Sequence, residues 1–185
     1  IRDSDYSVSV DEAISDLPVL GNGEIQMKGE YTVPFEQASP YAQLMRKKSK
    51  APTQNIVSRN KDYVVERYKY IGQGENWSSI PDRLMENYAD KKRCHSGIYK
   101  RLIGGKPSVV ISNYRKSMLI HPHQDRGLSV REAARLQSFP DHFIFEGPVS
   151  YVQQQIGNAV PPLLAKAVMK LSLIHISEPT RPRLI

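Results

Sequence analysis

Residues 128–141 read Leu-Ser-Val-Arg-Glu-Ala-Ala-Arg-Leu-Gln-Ser-Phe-Pro-Asp, and the rest of the chain can be placed against this stretch. Ser129 and Glu132 have the spacing of a capping box, in which each side chain accepts a hydrogen bond from the other residue's backbone amide. Phe139 precedes Pro140, and proline disfavours the helical conformation for the residue before it. The stretch therefore predicts a short helix with one narrow apolar face, made of Val130, Ala133, Ala134 and Leu136.

The following residues predict two more helices, joined by a turn of small residues. Ser150 and Gln153 repeat the capping-box spacing and predict a helix that runs to Ile156. Residues 157–162 read Gly-Asn-Ala-Val-Pro-Pro, in which glycine permits close backbone approach and the prolines start a last helix at 163–170. From spacing alone, this turn is an ordinary elbow between two helices.

Upstream of the opening stretch, the pattern predicts short helices separated by polar loops. Ser9 and Glu12 form another capping box, and Ser39-Pro40 places proline directly after a capping residue. The glycine-rich stretch 21–35 is predicted to be a loop. We expect the helices at 10–16, 41–48, 62–71 and 82–88.

Residues 96–127 predict the β-part of the fold. Stretch 96–102 leads from a turn into a strand, and Gly104-Gly105 is typical of a hairpin turn. The alternating, β-branched residues 108–113 then predict a second strand. Together they indicate a small antiparallel unit with a basic tip.

Composition limits the classes of protein that need to be considered. The chain has 185 residues, of which 39% are hydrophobic and 24% charged, as is ordinary for a soluble globular domain. No apolar run approaches the length of about 20 residues that a membrane span needs, so we expect no membrane partner and a cytoplasmic location. The single cysteine excludes an internal disulfide framework. The net charge of +7 favours a polyanionic partner.

Two ordered blocks of sequence resemble one known family, the DNA (cytosine-5)-methyltransferases. Residues 157–162 resemble the tenth and last conserved block of that family, and residues 11–18 resemble the segment after its eighth block. The ninth block is matched by the pattern Arg131-Glu132-x-x-Arg135-x-Gln137-x-Phe139-Pro140-Asp141. The resemblance implies a full-length enzyme that transfers a methyl group from S-adenosylmethionine to C5 of cytosine in duplex DNA.

The resemblance also implies an α+β fold. We expect a small target-recognition domain of short strands and helices at 1–127, and the ninth-block helix with its following loop at 128–148. The tenth-block helices at 149–170 would pack on a Rossmann-like S-adenosylmethionine-dependent domain that is absent from this chain. Residues 171–181 resemble the translation of a transposase-end sequencing adapter, so we expect 171–185 to be an artefact. Because the chain starts at Ile1, we expect it to be a C-terminal fragment.

The resemblance assigns roles to particular residues. Asn158, Ala159 and Val160 are the expected cofactor-side residues. The ninth block is expected to organise the recognition region through internal charge pairs of Arg131, Glu132 and Arg135. DNA contacts are expected from Lys100, Arg101, Asn113, Arg115, Lys116 and Arg126, with Arg131 as a further candidate for the DNA backbone. Residues 107–112 read Pro-Ser-Val-Val-Ile-Ser where many relatives carry threonines, so no contact to a specific base is assigned.

A basic cluster near the predicted helix 41–48 has two interpretations. Its members are Arg46, Lys47, Lys48 and Lys50. They could be a solvated helix end whose charges complement the helix dipole. They could instead contact phosphate groups.

The catalytic residues of the family are not expected in this chain. The reaction needs a cysteine thiolate in a Pro-Cys context, whereas Cys94 stands in Lys-Arg-Cys-His. Cys94, His95, His121 and His123 match no common zinc-finger spacing, so we expect no metal.

We predict that the fragment alone is inactive and that the whole protein is a monomer. Its expected protein partner is a cognate restriction endonuclease. The alternatives are a non-catalytic DNA-binding subunit or degenerate homologue, and a related RNA cytosine-5 methyltransferase.

Overall fold

The computed structural model describes residues 7–85, 97–112 and 114–177. This part of the chain is a mixed arrangement of helices and a two-stranded antiparallel sheet. The helices are α1 (Val10–Ile14), α2 (Pro40–Arg46), α3 (Asp62–Tyr68), α4 (Tyr114–Ser117), α5 (Val130–Leu136), α6 (Val149–Asn158) and α7 (Pro162–Ser177). The strands are β1 (Ile25–Lys28) and β2 (Thr53–Ile56), and 3₁₀ turns occupy Phe35–Gln37, Trp77–Ser79 and Asp82–Leu84.

Local capping explains where three of the helices begin. The capping boxes predicted for α1 and α5 are both present, with Ser9 bonded to Glu12 and Ser129 bonded to Glu132. Ser39 caps α2 by accepting a hydrogen bond from the amide of Ala42 at 3.0 Å. These signals are local in sequence, and they were sufficient to place the helix starts.

The capping box predicted at the start of α6 is wrong. This helix begins at Val149, Pro148 is its N-cap residue, and no side chain bonds to the first turn. Ser150 therefore lies inside the helix. Proline fixes its own backbone φ, here −60°, so the chain enters the helix without a serine cap.

The predicted loop at 21–35 contains strand β1, which pairs with β2. Ile25 lies opposite Ile56, and Lys28 lies opposite Thr53. The sheet is joined to the loop after α5 by Gln54, whose side chain accepts from the amide of Phe145 at 2.9 Å and donates to its carbonyl at 2.8 Å. The prediction of a loop is therefore wrong for Ile25–Lys28. The strand was missed because its pairing partner lies well downstream in the sequence.

The predicted strand at 108–113 does not form over its described residues, 108–112. The turn at Gly104 is present, but the Gly104 carbonyl accepts a hydrogen bond from the amide of Asp11 at 2.9 Å and the Lys106 carbonyl accepts one from the amide of Val10 at 2.9 Å. The turn thus caps α1 instead of joining two strands. Of the predicted strand at 96–102, only an isolated bridge between Arg101 and Ile120 is found among the described residues.

Two apolar clusters form the interior. The larger cluster joins α1, α5 and α6, and the smaller one surrounds α3. Helix α5 lies deepest, because every residue from Val130 to Arg135 is buried. By contrast, α7 exposes apolar side chains, among them Leu164, Val168 and Met169. Within the described residues, no helix has both the length and the apolar content needed to cross a membrane.

Candidate recognition and cofactor site

Arg135 is the centre of a buried ion network. It donates from Nη1 to Asp16 Oδ1 at 2.7 Å, from Nε to Asp141 Oδ1 at 2.7 Å and from Nη2 to Asp141 Oδ2 at 2.6 Å. Burial by itself lowers the pKa of Arg135, but hydrogen bonds and charges from Asp141 and Asp16 raise it above its ordinary value. The network holds α5 against the end of α1 and the loop that follows α5.

Arg131 is buried as well, but its partners are mainly backbone carbonyl groups. Nε donates to Thr53 O at 2.8 Å, and Nη2 donates to Phe143 O at 2.9 Å. No carboxylate pairs with it among the described residues, and burial lowers its pKa. Arg131 therefore joins strand β2 to the loop after α5 and is too enclosed to contact the DNA backbone.

Glu132 connects the start of α5 to Arg126. Arg126 donates from Nη1 and Nη2 to the two carboxylate oxygens at 2.8 and 2.7 Å. Burial raises the pKa of Glu132, but the hydrogen bonds and charge of Arg126 outweigh this effect and lower it overall. Glu132 and Arg135 thus have ionic partners inside the protein, whereas Arg131, which the resemblance led us to expect in a charge pair, is held by carbonyl and hydroxyl oxygens.

Burial contradicts the DNA contacts predicted for two arginines. Arg126 is 2% exposed and Arg101 is 6% exposed. Arg101 donates to the carbonyls of Ile71 at 2.5 Å and Tyr68 at 2.7 Å, and to the carboxylate of Asp125 at 2.6 Å. Both guanidinium groups cross-link loops inside the protein, so the two side chains are structural.

The other predicted DNA contacts have different positions. Lys100 donates to the Gly74 carbonyl and lines an opening of about 330 Å³ together with Val109 and Val110. Arg115 is exposed on α4. Asn113 and the Lys116 side chain lie outside the described part of the chain. The structure thus brings Lys100 next to segment 107–112, which we name the recognition segment after the role expected from the sequence.

The elbow between α6 and α7 presents the three predicted cofactor-side residues. Asn158 is exposed at the end of α6, Ala159 is half-buried, and Val160 is 63% exposed. A cleft of about 490 Å³ opens here between the recognition segment and residues 157–161. Of the three predicted residues, Ala159 lines this cleft beside Gly157 and Pro161, and neither Asn158 nor Val160 is part of its lining.

Gln137 and Ser138 were given no role from the sequence, yet they hold this cleft together. Gln137 Nε2 donates to the carbonyls of Ile111 at 2.9 Å and Ile156 at 3.1 Å, which joins the recognition segment to α6. Ser138, in the left-handed conformation with φ 59°, accepts a hydrogen bond from the amide of Leu163 at 3.1 Å. For Gln137 the available signal was its place in the ninth-block pattern, whereas Ser138 occupies a position that the pattern leaves open.

The histidines considered as metal ligands are involved in hydrogen bonds. Burial lowers the pKa of His121 to about 4, and its Nδ1 accepts a hydrogen bond from the amide of His123 at 3.1 Å. His123 Nε2 lies 2.8 Å from Asp11 Oδ1. Among the residues that the structure describes, no group of three or more histidine, cysteine, aspartate or glutamate side chains could hold a metal ion. Cys94 and His95 fall outside those residues.

Comparison with known proteins gives a consistent family. The family model described as C-5 cytosine-specific DNA methylase matches residues 22–172. The Type II methyltransferase M.DdeI of Desulfomicrobium norvegicum is 33% identical over 181 residues, which cover 91% of this chain and 43% of that protein. DNA (cytosine-5)-methyltransferase 3 of Arabidopsis thaliana is 33% identical over 184 residues, covering 88% of this chain and 12% of that protein.

A solved structure shares the fold. The crystal structure of a prophage-encoded DNA modification methyltransferase from E. coli matches with a TM-score of 0.65 and 23% sequence identity, covering 92% of this chain and 48% of that one. This chain therefore spans less than half the length of the relatives that it matches. Because the family model covers most of its residues, the chain belongs to the C-5 cytosine-specific DNA methylase family.

Proposed function

We propose that this chain is the target-recognition and elbow part of a DNA (cytosine-5)-methyltransferase. The complete enzyme would transfer a methyl group from S-adenosylmethionine to C5 of a cytosine within a specific duplex sequence. Family membership supports this proposal. The observation that carries it is the cleft in which Gln137 joins the recognition segment to the elbow at 157–161.

The chemical step would be performed by residues outside this chain. A cysteine thiolate would add to C6 of a flipped cytosine, S-adenosylmethionine would supply the methyl group to C5, and loss of the C5 proton would release the thiolate. Cys94 is the chain's only cysteine and lacks the Pro-Cys context. We therefore assign no catalytic residue and expect no methyl transfer by the 185-residue chain alone.

The chain's own residues would bind DNA and complete the cofactor pocket. Lys100, which lines the opening beside the recognition segment, and the exposed Arg115 would contact phosphates or base edges, and Asn113 and Lys116 remain candidates from the sequence. Asn158, Ala159 and Val160 would form one wall of the S-adenosylmethionine pocket. Arg131, Glu132 and Arg135 would fix α5, on which both regions are built.

The exposed apolar residues of α7 favour the proposal that this helix packs on another domain. Leu164, Val168 and Met169 are each more than half exposed. Several large apolar side chains exposed on one helix are typical of a surface that packs on another domain. We propose that this face packs on the Rossmann-like cofactor domain of the same enzyme, which would act as a monomer in the cytoplasm.

A restriction-modification role follows from the relatives' names. M.DdeI and M1.HphI of Haemophilus parahaemolyticus are both named Type II methyltransferases, and the latter is 39% identical over 110 residues, covering 60% of this chain. We propose a cognate restriction endonuclease that cuts the same sequence when it is unmethylated.

The test is methyl transfer from labelled S-adenosylmethionine to duplex DNA and, separately, to transfer RNA. The complete enzyme should label duplex DNA, and the 185-residue chain should label neither. Labelling of transfer RNA alone would favour an RNA methyltransferase. Duplex binding without labelling by the complete protein would favour a non-catalytic DNA-binding subunit or degenerate homologue.

A further inference from the structure

A second open groove, of about 640 Å³, lies where the end of α2 meets the β1–β2 sheet. Three cationic residues line it, Lys28, Arg46 and Lys50, and Glu30 is the one acidic residue of the lining. The groove shares no lining residue with the cleft at the elbow. Its chemistry is therefore separate from the site described above.

The sheet register explains why the two lysines meet. Lys28 lies opposite Thr53 at the end of the ladder, and the amide of the next residue, Gly29, donates to Pro52 O at 2.9 Å. Lys50 precedes that point by only two residues. Strand pairing thus places two ammonium side chains at the same end of the sheet, although they are distant in sequence.

Arg46 forms a fixed base for the groove. It is 7% exposed, and its guanidinium carbon lies 3.8 Å from the centre of the Tyr31 ring. Nη1 contacts Asp16 Oδ2 at 3.3 Å and Val33 O at 3.2 Å. Asp16 is held more closely by Arg135, at 2.7 Å, so it compensates the charge of Arg46 only in part.

One donor of this buried guanidinium remains without a partner. Nε of Arg46 is buried and has no hydrogen-bond acceptor among the described residues. A buried cation is stable only when its charge and its hydrogen-bond donors are satisfied. Because Asp16 is shared with Arg135, the positive charge of Arg46 is only partly compensated, and this favours an anion in the adjoining groove.

A planar guanidinium beside two flexible ammonium groups is suited to a phosphate group. Lys47 and Lys48 are exposed next to the groove, so its basic surface extends along the chain. An open groove with a continued basic edge fits an extended phosphodiester chain better than an isolated small anion. We propose that this groove binds a backbone phosphate of duplex DNA outside the bases read by the recognition segment. The proposal rests on the DNA-directed function proposed above.

The test compares the salt dependence of duplex binding by the 185-residue chain and by its variant Lys28→Gln/Lys50→Gln. Fluorescence anisotropy with a labelled duplex would be measured at several salt concentrations. Each neutralised phosphate contributes about 0.9 to the slope of log K against log salt, so losing the one phosphate of this groove should lower the slope by about 1 in the variant. The matched control Lys61→Gln/Lys166→Gln removes the same charge from exposed positions outside the groove and should keep the wild-type slope.

Inorganic phosphate separates the two sources of a phosphate group. Stabilisation of the wild-type chain by inorganic phosphate that the variant loses, with an unchanged DNA slope, would identify a free-phosphate site and overturn the proposal. Equal slopes in the variant and the control would overturn it as well. If the complete enzyme still methylates DNA in that case, the methyltransferase proposal stands. If duplex binding depends on the two lysines but the complete protein transfers no methyl group, the groove proposal stands and the methyltransferase proposal fails.

Discussion

Arg135 and Asp16 are joined by hydrogen bonds of 2.7 and 3.2 Å, although 119 residues separate them in the sequence. Both side chains are buried, and Arg135 also binds Asp141. One guanidinium group thereby fixes α5 between the first helix and the loop that leads to α6. The recognition segment and the elbow are both built on that fixed helix.

Replacement of Arg135 by leucine should destabilise the chain strongly. It would leave the buried carboxylates of Asp16 and Asp141 without their main cation, and breaking a buried pair costs about 3–5 kcal/mol. Urea unfolding followed by circular dichroism measures the loss. The control is Lys69→Ala, which removes an exposed pair with Glu66 and should cost less than about 1 kcal/mol. Equal stability of the two variants would refute the structural role of Arg135.

Gly104→Ala should loosen the contact between the 104–106 turn and α1. A Cβ at Gly104 would overlap the Asp11 carboxylate and lie 2.7 Å from its Cγ, whereas a Cβ at Gly105 meets no atom within 4 Å. Gly105→Ala is therefore the matched control. The carboxylate of Asp11 is the end of a partly exposed side chain and can rotate away, so we expect a loss in thermal unfolding of about 0.5 kcal/mol for Gly104→Ala, less than for overpacking inside a core. Gly104→Ala should cost less stability in the Asp11→Ala variant than in the wild type, because the clashing carboxylate is gone. Equal costs in the two backgrounds would contradict the contact.

His121 should make the fold sensitive to weak acid. Burial lowers its pKa from 6.5 to about 4, so between these values the unfolded chain binds a proton that the folded chain does not. Stability is therefore complete above pH 6.5 and is lost as the pH falls toward 4. The difference amounts to about 2 kcal/mol between pH 7 and pH 5.

The variant His121→Asn tests this dependence. Asparagine removes the titrating ring but keeps an oxygen that can accept the His123 amide. We expect its stability to change less than that of the wild type when urea unfolding is compared at the two pH values. The same loss in both proteins would show that other groups cause the acid sensitivity.

Gln137→Leu should raise the KM of the complete enzyme for both of its substrates. The side chain holds Ile111 and Ile156 together, and leaving buried carbonyls without a donor costs about 1–3 kcal/mol. We expect higher KM values for DNA and for S-adenosylmethionine than in the control Gln154→Leu, which changes an exposed glutamine of α6. Steady-state kinetics decides the matter, and unchanged KM values would show that Gln137 is not a positioning residue.

The starts of α1, α2 and α5 were predictable because their signals span only three or four residues. Ser9, Ser39 and Ser129 act on amides one turn away, and no tertiary information is needed to find them. The family was also readable, since the ninth and tenth blocks are contiguous patterns. What depends on distant contacts was not predictable.

Three errors show that limit in particular residues. The β-branched residues 108–112 alternate like a strand, but the carbonyl of Ile111 is bonded by Gln137 instead of a neighbouring strand. Strand β1 was missed because its partner begins 28 residues after Ile25. Arg101 and Arg126 were assigned to DNA from their charge, and charge does not reveal that loops enclose both side chains.

The most direct test of the central claim is a bisulfite map of DNA from cells that express the complete enzyme, compared with cells that express this chain alone. The account predicts protected cytosines within one short sequence for the complete enzyme and none for the chain. Protected cytosines produced by the chain alone, or none produced by the complete enzyme, would contradict it.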